Sequence, residues 1–281
     1  MTNEKLSIFG STGFIGSNFI ASNSLNFPTH KCISMKRNAK ESESKKILYL
    51  ISTIDNYNVQ NDLHIDINTN LKKLMDVLEN CKGKDVEFNF ISSWFVYGNT
   101  RLPAREIDYC DPKGFYSITK RCAEQLLISF CETFDIKYRI LRLCNVYGDG
   151  DLKSSSKKNA IQYMINLLKK NEPINLYEGG YVLRDLMHVS DICKAIDLVL
   201  SKGNYNEIYN IGSGTPTSVF EIIDLAKNYL NSSSKIKSID TPKFHTQVQA
   251  RDFYLDCSKL KNLGFKQSIN IKKGIKMLCS Q

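Results

Sequence analysis

The fold is decided by the stretch Leu6-Ser7-Ile8-Phe9-Gly10-Ser11-Thr12-Gly13-Phe14-Ile15-Gly16, which joins an apolar strand, a glycine turn and the start of a helix. The glycines have the spacing G-x-x-G-x-x-G. In such a turn one glycine allows the tight bend, one lets the backbone approach a pyrophosphate, and one lets the helix pack closely on the strand. Free N–H groups at the helix N-terminus then favour phosphate. The turn therefore predicts a dinucleotide site formed by Gly10, Ser11, Thr12, Gly13, Phe14, Ile15 and Gly16. A packing turn without a ligand is the alternative, because three glycines alone are a weak signal.

Working outward from this turn, apolar β-rich segments alternate with helical patterns through the first two thirds of the chain. Strands are predicted at 6–9, 32–35, 47–51, 88–92 and 138–143, and helices from Ile15 and over 71–78 and 117–134. This alternation indicates parallel strands joined by crossover helices. We therefore expect an α/β fold with a Rossmann-type, doubly wound parallel sheet.

The rhythm loosens after the polar stretch 148–159. Helical patterns follow at 160–169, 189–200 and 219–230, with short strands between them. We expect an NAD(P)-binding domain over residues 1–150. Residues 151–281 should form mainly a smaller C-terminal substrate lobe, interleaved with the last elements of the sheet.

The nucleotide-binding half looks shortened. Only eleven residues separate Met35 from Ile47, too few for the usual helix, strand and helix, so one strand should be missing and the adenine pocket should be altered. The second strand runs into Lys36 and Arg37, where an acid would bind the ribose of NAD and a base would bind the 2′-phosphate of NADP. This favours NADP(H) over NAD(H), unless both residues are simply surface cations. Ser52, after the next strand, could hydrogen-bond the cofactor ribose.

Tyr116 and Lys120 lie four residues apart at the start of a predicted helix, so their side chains emerge on one face. A nearby ammonium stabilises a phenolate and lowers the pKa of a tyrosine, which makes such a pair a tuned acid and base. The Y-x-x-x-K string arises often by chance. Ser93 adds weight to it, because a hydroxyl at the carboxyl end of a parallel strand faces the crevice where ligands bind.

Taken together, these features resemble the extended short-chain dehydrogenase/reductase family, the NAD(P)-dependent epimerases, dehydratases and reductases of nucleotide sugars. The strings that carry the resemblance are GSTGFIG, ISSWFVYG, YSITK, LRLCNVYGDG, RDLMHVSDICKAI, YNIGSG and LDCSKLKNLGF, in family order. The resemblance implies that Tyr116 is the acid/base, that Ser93 contacts the reacting sugar oxygen, and that Lys120 tunes Tyr116 and holds the nicotinamide ribose.

The same resemblance implies that Asn145 and Arg184 touch the substrate's diphosphate, with Arg251 a weaker candidate. For Arg184 a structural cluster with Asp185, His188 and Asp191 is an equal alternative. For His188, at a helix start, a structural role is favoured.

Family dehydratases carry an Asp-Glu pair after the crevice hydroxyl, but here Trp94 and Phe95 follow Ser93, which argues against dehydration. Two reactions remain, reduction of a nucleotide-linked 4-keto (6-deoxy)hexose with NADPH and NAD-dependent 4-epimerisation of a nucleotide sugar. Lys36 and Arg37 favour the reductase. A non-catalytic dinucleotide-binding protein is a remote alternative, since such proteins typically lose Tyr or Lys from the pair.

Composition limits the partners. The net charge of +9 comes from scattered lysine pairs without interleaved aromatics, so no nucleic acid is expected. No run approaches the ~18 apolar residues of a membrane helix, and no signal segment is expected, so we predict no membrane partner and a cytoplasmic location. Nine scattered cysteines indicate reduced thiols and no metal site. By resemblance, a homodimer would form through the helix at 117–134, where Leu126, Leu127, Phe130 and Phe134 are available unless they pack on their own sheet.

Overall fold

The computed structural model describes residues 4–25, 29–151 and 160–280, so residues 152–159 of the predicted polar stretch lie outside the described part. The strands are β1 Glu4–Phe9, β2 His30–Ser34, β3 Lys46–Tyr49, β4 Glu87–Ser93, β5 Lys137–Leu143, β6 Asn145–Tyr147, β7 Ile174–Tyr177, β8 Leu183–His188, β9 Glu207–Ile211, β10 Pro216–Ser218 and β11 Ile236–Ile239. The helices are α1 Phe14–Leu25, α2 Lys73–Glu79, α3 Phe115–Thr133, α4 Ala160–Lys169, α5 Val189–Lys202, α6 Val219–Leu230, α7 Lys243–Val248, α8 Ser258–Asn262 and α9 Ile271–Cys279.

The central sheet has six parallel strands in the order β2-β1-β3-β4-β5-β9. The order reverses between β1 and β3, which places a crevice at their carboxyl ends. β2 forms one edge of the sheet, and the chain between β2 and β3 contains no strand or helix. The prediction of a doubly wound sheet with a shortened nucleotide-binding half is therefore confirmed.

Helices pack on both faces of this sheet, against apolar side chains that alternate along each strand. Leu6 and Ile8 of β1 pack with Phe19 of α1 and with α5 residues in one apolar cluster. On the other face, Ile47 and Tyr49 of β3 join residues of α2 and α3 in a second cluster. Because successive side chains of a strand point to opposite faces, a sheet covered on both sides reads as continuous apolar segments.

The third apolar cluster forms the smaller lobe. Here α4, α6 and α9 pack together around Ile165, Ile222 and Ile275, beside the two-stranded sheet β7–β11. The two parts are interleaved along the chain. Although β9 and α5 come after β7 in sequence, β9 is an edge strand of the central sheet and α5 packs against α1. The smaller lobe consequently forms one wall of the crevice at the carboxyl ends of the strands.

A buried ion pair fixes α3 to the sheet. Arg142 of β5 donates from Nε to Glu124 Oε1 at 3.0 Å and from Nη2 to Oε2 at 2.8 Å, and Arg121 also donates to Oε2. The side chains of Arg142 and Glu124 are 1% and 0% exposed. Burial raises the pKa of the Glu124 carboxyl, but the charge and hydrogen bonds of Arg142, together with Ser92 and Arg121, outweigh burial, so the net pKa is below the usual value.

We predict that Arg142→Met lowers the free energy of unfolding by about 3–5 kcal/mol, because it leaves a buried carboxylate without its main partner. The measurement is urea denaturation followed by circular dichroism. The matched control is Lys45→Met, which breaks an ion pair with Asp85 whose two side chains are 78% and 79% exposed, and should behave like wild type. A loss for Arg142→Met no larger than that of the control would contradict the prediction.

Candidate functional site

A cleft of about 1050 Å³ opens at the carboxyl ends of the central strands. One wall consists of the glycine turn and the ends of β3, β4 and β5, and the other consists of α4, β7 and β8 of the smaller lobe. A deep cleft between a nucleotide-binding sheet and a second lobe is a typical ligand site. Ser93, Tyr116, Lys120, Asn145 and Arg184 all line this cleft.

The glycine turn fits a dinucleotide. Gly10 has a φ of +86°, and its carbonyl accepts a hydrogen bond of 3.0 Å from the Gly13 N–H. A Cβ on Gly16 would lie 2.4 Å from the Gly10 carbonyl oxygen, so only glycine allows α1 to approach β1 so closely. α1 begins at Phe14 and points its free N–H groups at the cleft. Of the predicted residues, Ser11 is buried behind the turn, and Gly10, Thr12, Gly13, Phe14, Ile15 and Gly16 line the cleft.

The loop after β3 is braced by a buried asparagine that the sequence did not reveal. The Asn70 Oδ1 accepts from the Ser52 hydroxyl at 3.0 Å and from the Thr53 N–H at 2.8 Å, and its Nδ2 donates to Thr119 Oγ1 of α3 at 2.9 Å. Asn70 lies in a π-helical turn, Ile67–Lys72, that precedes α2. Such turns frequently mark functional sites, but hydrophobic periodicity does not signal them.

Ser93 and Tyr116 come together as expected. Ser93 ends β4, and its hydroxyl and that of Ser52 lie beside the Tyr116 phenol. Burial raises the pKa of Tyr116 to about 12, against the opposing effect of these two hydroxyls. Ser52, for which the sequence predicts a hydrogen bond to the cofactor ribose, donates to Asn70 and lies near the phenol; the ribose contact stays a prediction. Tyr116 is therefore a protonated donor at neutral pH.

Lys120 lies one helical turn further along α3. Its Nζ donates to the Ile91 carbonyl of β4 at 2.7 Å and sits 4.1 Å from the centre of the Phe90 ring. Burial lowers its pKa to about 7, against the opposing charge of Glu124. Because Glu124 is already paired with Arg142, Lys120 is a buried amine that an anionic or polar ligand in the cleft would help to charge.

Asn145 of β6 and Arg184 of β8 line the cleft, whereas Arg251 is exposed and lies outside the residues that line it. The Asn145 Nδ2 donates to the Asp185 carbonyl oxygen at 3.1 Å. The Arg184 guanidinium donates to the backbone oxygens of Leu183, Ala250 and Arg251 and lies 5.8 Å from the Trp94 ring centre.

The alternative of a single structural cluster around Arg184 does not match the geometry. The Asp185 carboxylate accepts from Ser213, Gly214 and Leu255 N–H groups. The Asp191 carboxylate binds a different segment, the N–H groups of Ser268 and Ile269. His188 caps α5 by accepting from the Ser190 N–H, which fits the structural role favoured for it. Arg184 alone of the four faces the cleft.

Lys36 and Arg37 follow β2 at the exposed edge of the sheet and are outside the cleft wall. They lie beyond the carboxyl end of β2, the strand next to β1. Since β2 is the edge strand, no further strand covers these cations.

The described ranges 4–25, 29–151 and 160–280 contain no helix long and apolar enough to cross a membrane, and no group of three His, Cys, Asp or Glu placed to hold a metal ion. All nine cysteines are free thiols.

Comparisons with known proteins point to one family. Residues 47–212 match the model of the NAD-dependent epimerase/dehydratase family. A putative UDP-glucose 4-epimerase of Methanocaldococcus jannaschii is 30% identical over 238 residues, which are 83% of this chain and 76% of that protein.

Two solved structures share the fold. The UDP-glucose 4-epimerase of Thermotoga maritima, determined with UDP-glucose, is 23% identical with a TM-score of 0.86, covering 98% of this chain and 97% of that one. RMD of Pseudomonas aeruginosa, determined with NADPH, is 21% identical with a TM-score of 0.84, covering 99% and 98%.

The buried amine of Lys120 predicts a pH dependence of stability. The unfolded chain binds the lysine proton with a pKa near ~10.4, whereas the folded, ligand-free protein binds it only at about 7. Between these values the unfolded state holds more protons, so stability falls as the pH falls through this window. Lys120→Met removes that contribution and should flatten the profile. Urea denaturation at several pH values checks this, with the exposed Lys40→Met as control; parallel profiles for wild type and Lys120→Met would refute it.

Proposed function

The chain belongs to the NAD-dependent epimerase/dehydratase family, and on that premise we propose that it is an NADPH-dependent reductase of a nucleotide-linked 4-keto (6-deoxy)hexose. The observation that carries this proposal is the meeting of Ser93 and Tyr116, with Lys120 one turn away, in the same cleft as the glycine turn. The basic residues Lys36 and Arg37, and the lack of an acid beside them, favour the reductase over an enzyme that recycles NAD.

Different residues of the chain would bind different parts of the cofactor. The glycine turn and the N-terminus of α1 would hold the pyrophosphate, Lys120 the nicotinamide ribose, and Lys36 with Arg37 the 2′-phosphate. When bound, the reduced nicotinamide supplies a hydride to the sugar C4. The adenine end is left open by the missing strand, so these two cations would dominate cofactor choice there.

Tyr116 would deliver the proton that completes the reduction. Its high pKa keeps the phenol protonated, and the Ser93 hydroxyl next to it would orient the sugar O4. As the proton leaves, a phenolate would form, and Lys120, charged once the cofactor contacts it, would stabilise that phenolate. Trp94 and Phe95 stack at 4.0 Å and line the cleft directly after Ser93, so no carboxylate stands there to eliminate water.

The smaller lobe, residues 151–281 in our division of the chain, would bind the nucleotide sugar. Asn145 and Arg184 are the proposed diphosphate contacts. Arg251 would reach the same phosphates only by moving, because its side chain is exposed outside the cleft wall.

A NAD-dependent nucleotide-sugar 4-epimerase is the second candidate, favoured by the 30% identity to a putative UDP-glucose 4-epimerase. It would use Ser93, Tyr116 and Lys120 for the same proton and hydride movements. The two are separated by assaying NADPH oxidation with nucleotide-linked 4-keto-6-deoxyhexoses. No oxidation, together with interconversion of epimers by enzyme carrying NAD, would replace the reductase by the epimerase; neither activity would favour the non-catalytic alternative.

We predict that Tyr116→Phe lowers kcat by roughly 10²- to 10⁴-fold, the contribution of a positioned general acid. Cofactor binding, measured by nicotinamide fluorescence, should stay close to that of wild type because the phenyl ring keeps its contact with Phe95. Unchanged turnover in this variant would remove Tyr116 from the proposed mechanism.

The double variant Lys36→Ala/Arg37→Ala should raise the KM for NADPH at least roughly tenfold, the effect of losing about 1.4 kcal/mol of interaction with the 2′-phosphate. The KM for NADH should barely change, since NADH has no such phosphate. Lys40→Ala is the matched control, because Lys40 is an exposed cation of the same connection that pairs with Asp76. Equal effects on both cofactors would contradict the proposed preference for NADP(H).

A homodimer through α3 remains a prediction, as does the cytoplasmic location. Of the expected contact residues, Leu127 is fully buried in its own core, and Phe130 and Phe134 pack on each other against that core. Leu126 stays 39% exposed and Ile118 is 50% exposed. The proposed interface therefore lies on the Ile118–Leu126 side of α3, and sedimentation velocity would detect the dimer.

A further inference from the structure

A bridge of side chains crosses the substrate end of the cleft. Tyr57, in the loop after β3, hydrogen-bonds through its hydroxyl to His245 Nδ1 of α7 at 2.8 Å, and both residues line the cleft. Tyr177 at the end of β7 also packs against the imidazole, with 5.1 Å between ring centres. The His245 ring is thus held between the nucleotide-binding half and the smaller lobe.

The adjoining wall is cationic. Arg184 is half-buried, and desolvation of its guanidinium lowers its pKa to about 10, partly offset by the charge of Asp252. It forms no ion pair with an acid in the described part of the chain. Of its five N–H donors, three go to backbone oxygens. A partly desolvated cation without a counter-charge gains from an anionic partner, so this wall suits an anion.

His245 belongs to the same electrostatic environment. Burial lowers the pKa of its imidazole, and the charge of Arg184 lowers it further. Two titratable side chains contact the ring, Tyr57 on the loop after β3 and Tyr177 on β7, and the charge of Asp55 acts in turn on Tyr57. When the Tyr57 hydroxyl donates to Nδ1, the other ring nitrogen, Nε2, carries the proton of the neutral imidazole and can donate to a ligand. In the protonated ring Nε2 is a donor in every case.

We infer that His245, together with Arg184, binds the diphosphate of the nucleotide sugar, and that Tyr57 is the positioning residue that orients the His245 ring. This inference rests on the proposed function only for the presence of a nucleotide-linked substrate. It does not depend on whether the enzyme reduces or epimerises the sugar. An anion next to His245 stabilises its imidazolium, so substrate binding takes up a proton above the lowered pKa of the free residue, and affinity falls as the pH rises there.

The test is calorimetric titration of the protein loaded with its reduced nicotinamide nucleotide. UDP-glucose, GDP-mannose, dTDP-glucose and CDP-glucose are the probes, because these alcohols offer no carbonyl for reduction and their diphosphate esters do not titrate near neutral pH. The tightest of them is then compared with its own nucleoside, which has no phosphate. Titrations in two buffers of different ionisation enthalpy give the number of protons taken up.

His245→Gln should weaken binding of the nucleotide sugar by roughly tenfold, as expected for losing a hydrogen bond to a charged group. It should leave nucleoside binding unchanged and abolish the proton uptake. Tyr57→Phe should weaken nucleotide-sugar binding less and keep the uptake. His64→Gln, at an exposed histidine outside the cleft wall, is the matched control and should behave like wild type.

The inference is overturned if His245→Gln binds the nucleotide sugar as tightly as wild type, if it weakens the nucleoside equally, or if wild type binds none of the four probes. NADPH oxidation measured in parallel separates the two proposals. Turnover with an unchanged KM in His245→Gln would overturn this inference and leave the reductase standing. Proton-linked binding without turnover would support this inference and count against the reductase.

Discussion

A stripe of buried polar groups on one face of α3 holds the site together. Tyr116, Lys120 and Glu124 are four residues apart, so they point at the same side of the sheet. Tyr116 meets the Ser93 hydroxyl at the end of β4, Lys120 reaches the Ile91 carbonyl two residues earlier, and Glu124 pairs with Arg142 of β5. The Glu124–Arg142 ion pair prevents α3 from sliding along its axis. It thereby fixes the position of the Tyr116 phenol relative to Ser93. A buried polar stripe permits few alternative registers, because a shifted helix would leave each group without its partner.

The fold was predictable because its signals are local. Apolar strands, glycine spacing and helix periodicity are all visible within about a dozen residues of sequence. The short connection between Met35 and Ile47 was enough to predict that one strand is missing. The Tyr116, Lys120 and Ser93 grouping was predictable too, since parallel strands end at one edge. Asn70 was not, because an inserted residue in a π-helical turn leaves no periodic trace. The His245 contact with Tyr57 joins positions 188 residues apart, and nothing in the sequence pairs them.

Arg184 and Asp185 show how neighbours in one strand take opposite roles. The pleat of β8 turns the Asp185 carboxylate into the protein, where backbone N–H groups of Gly214 and Leu255 satisfy it. The same pleat turns Arg184 to the cleft, where it has no acidic partner among the described residues. Their adjacency in sequence suggested one ion cluster, but successive side chains of a strand point to opposite faces, so the two residues are separated. An adjacent Arg-Asp pair on a strand is therefore evidence for two sites and not for one.

Ligands would complete the electrostatics of this protein. Two basic side chains line one cleft, Lys120 buried and Arg184 half-buried, and desolvation lowers the pKa of each. Lys120 shares its nearest carboxylate with Arg142, and Arg184 has only backbone oxygens and a distant Asp252. Each unpaired cation opposes folding of the ligand-free chain, and each would gain a partner from the dinucleotide or from the substrate. Since a ligand that binds only the folded state stabilises it in proportion to RT ln(1 + [L]/Kd), the groups that destabilise the empty cleft are the ones through which binding would stabilise it.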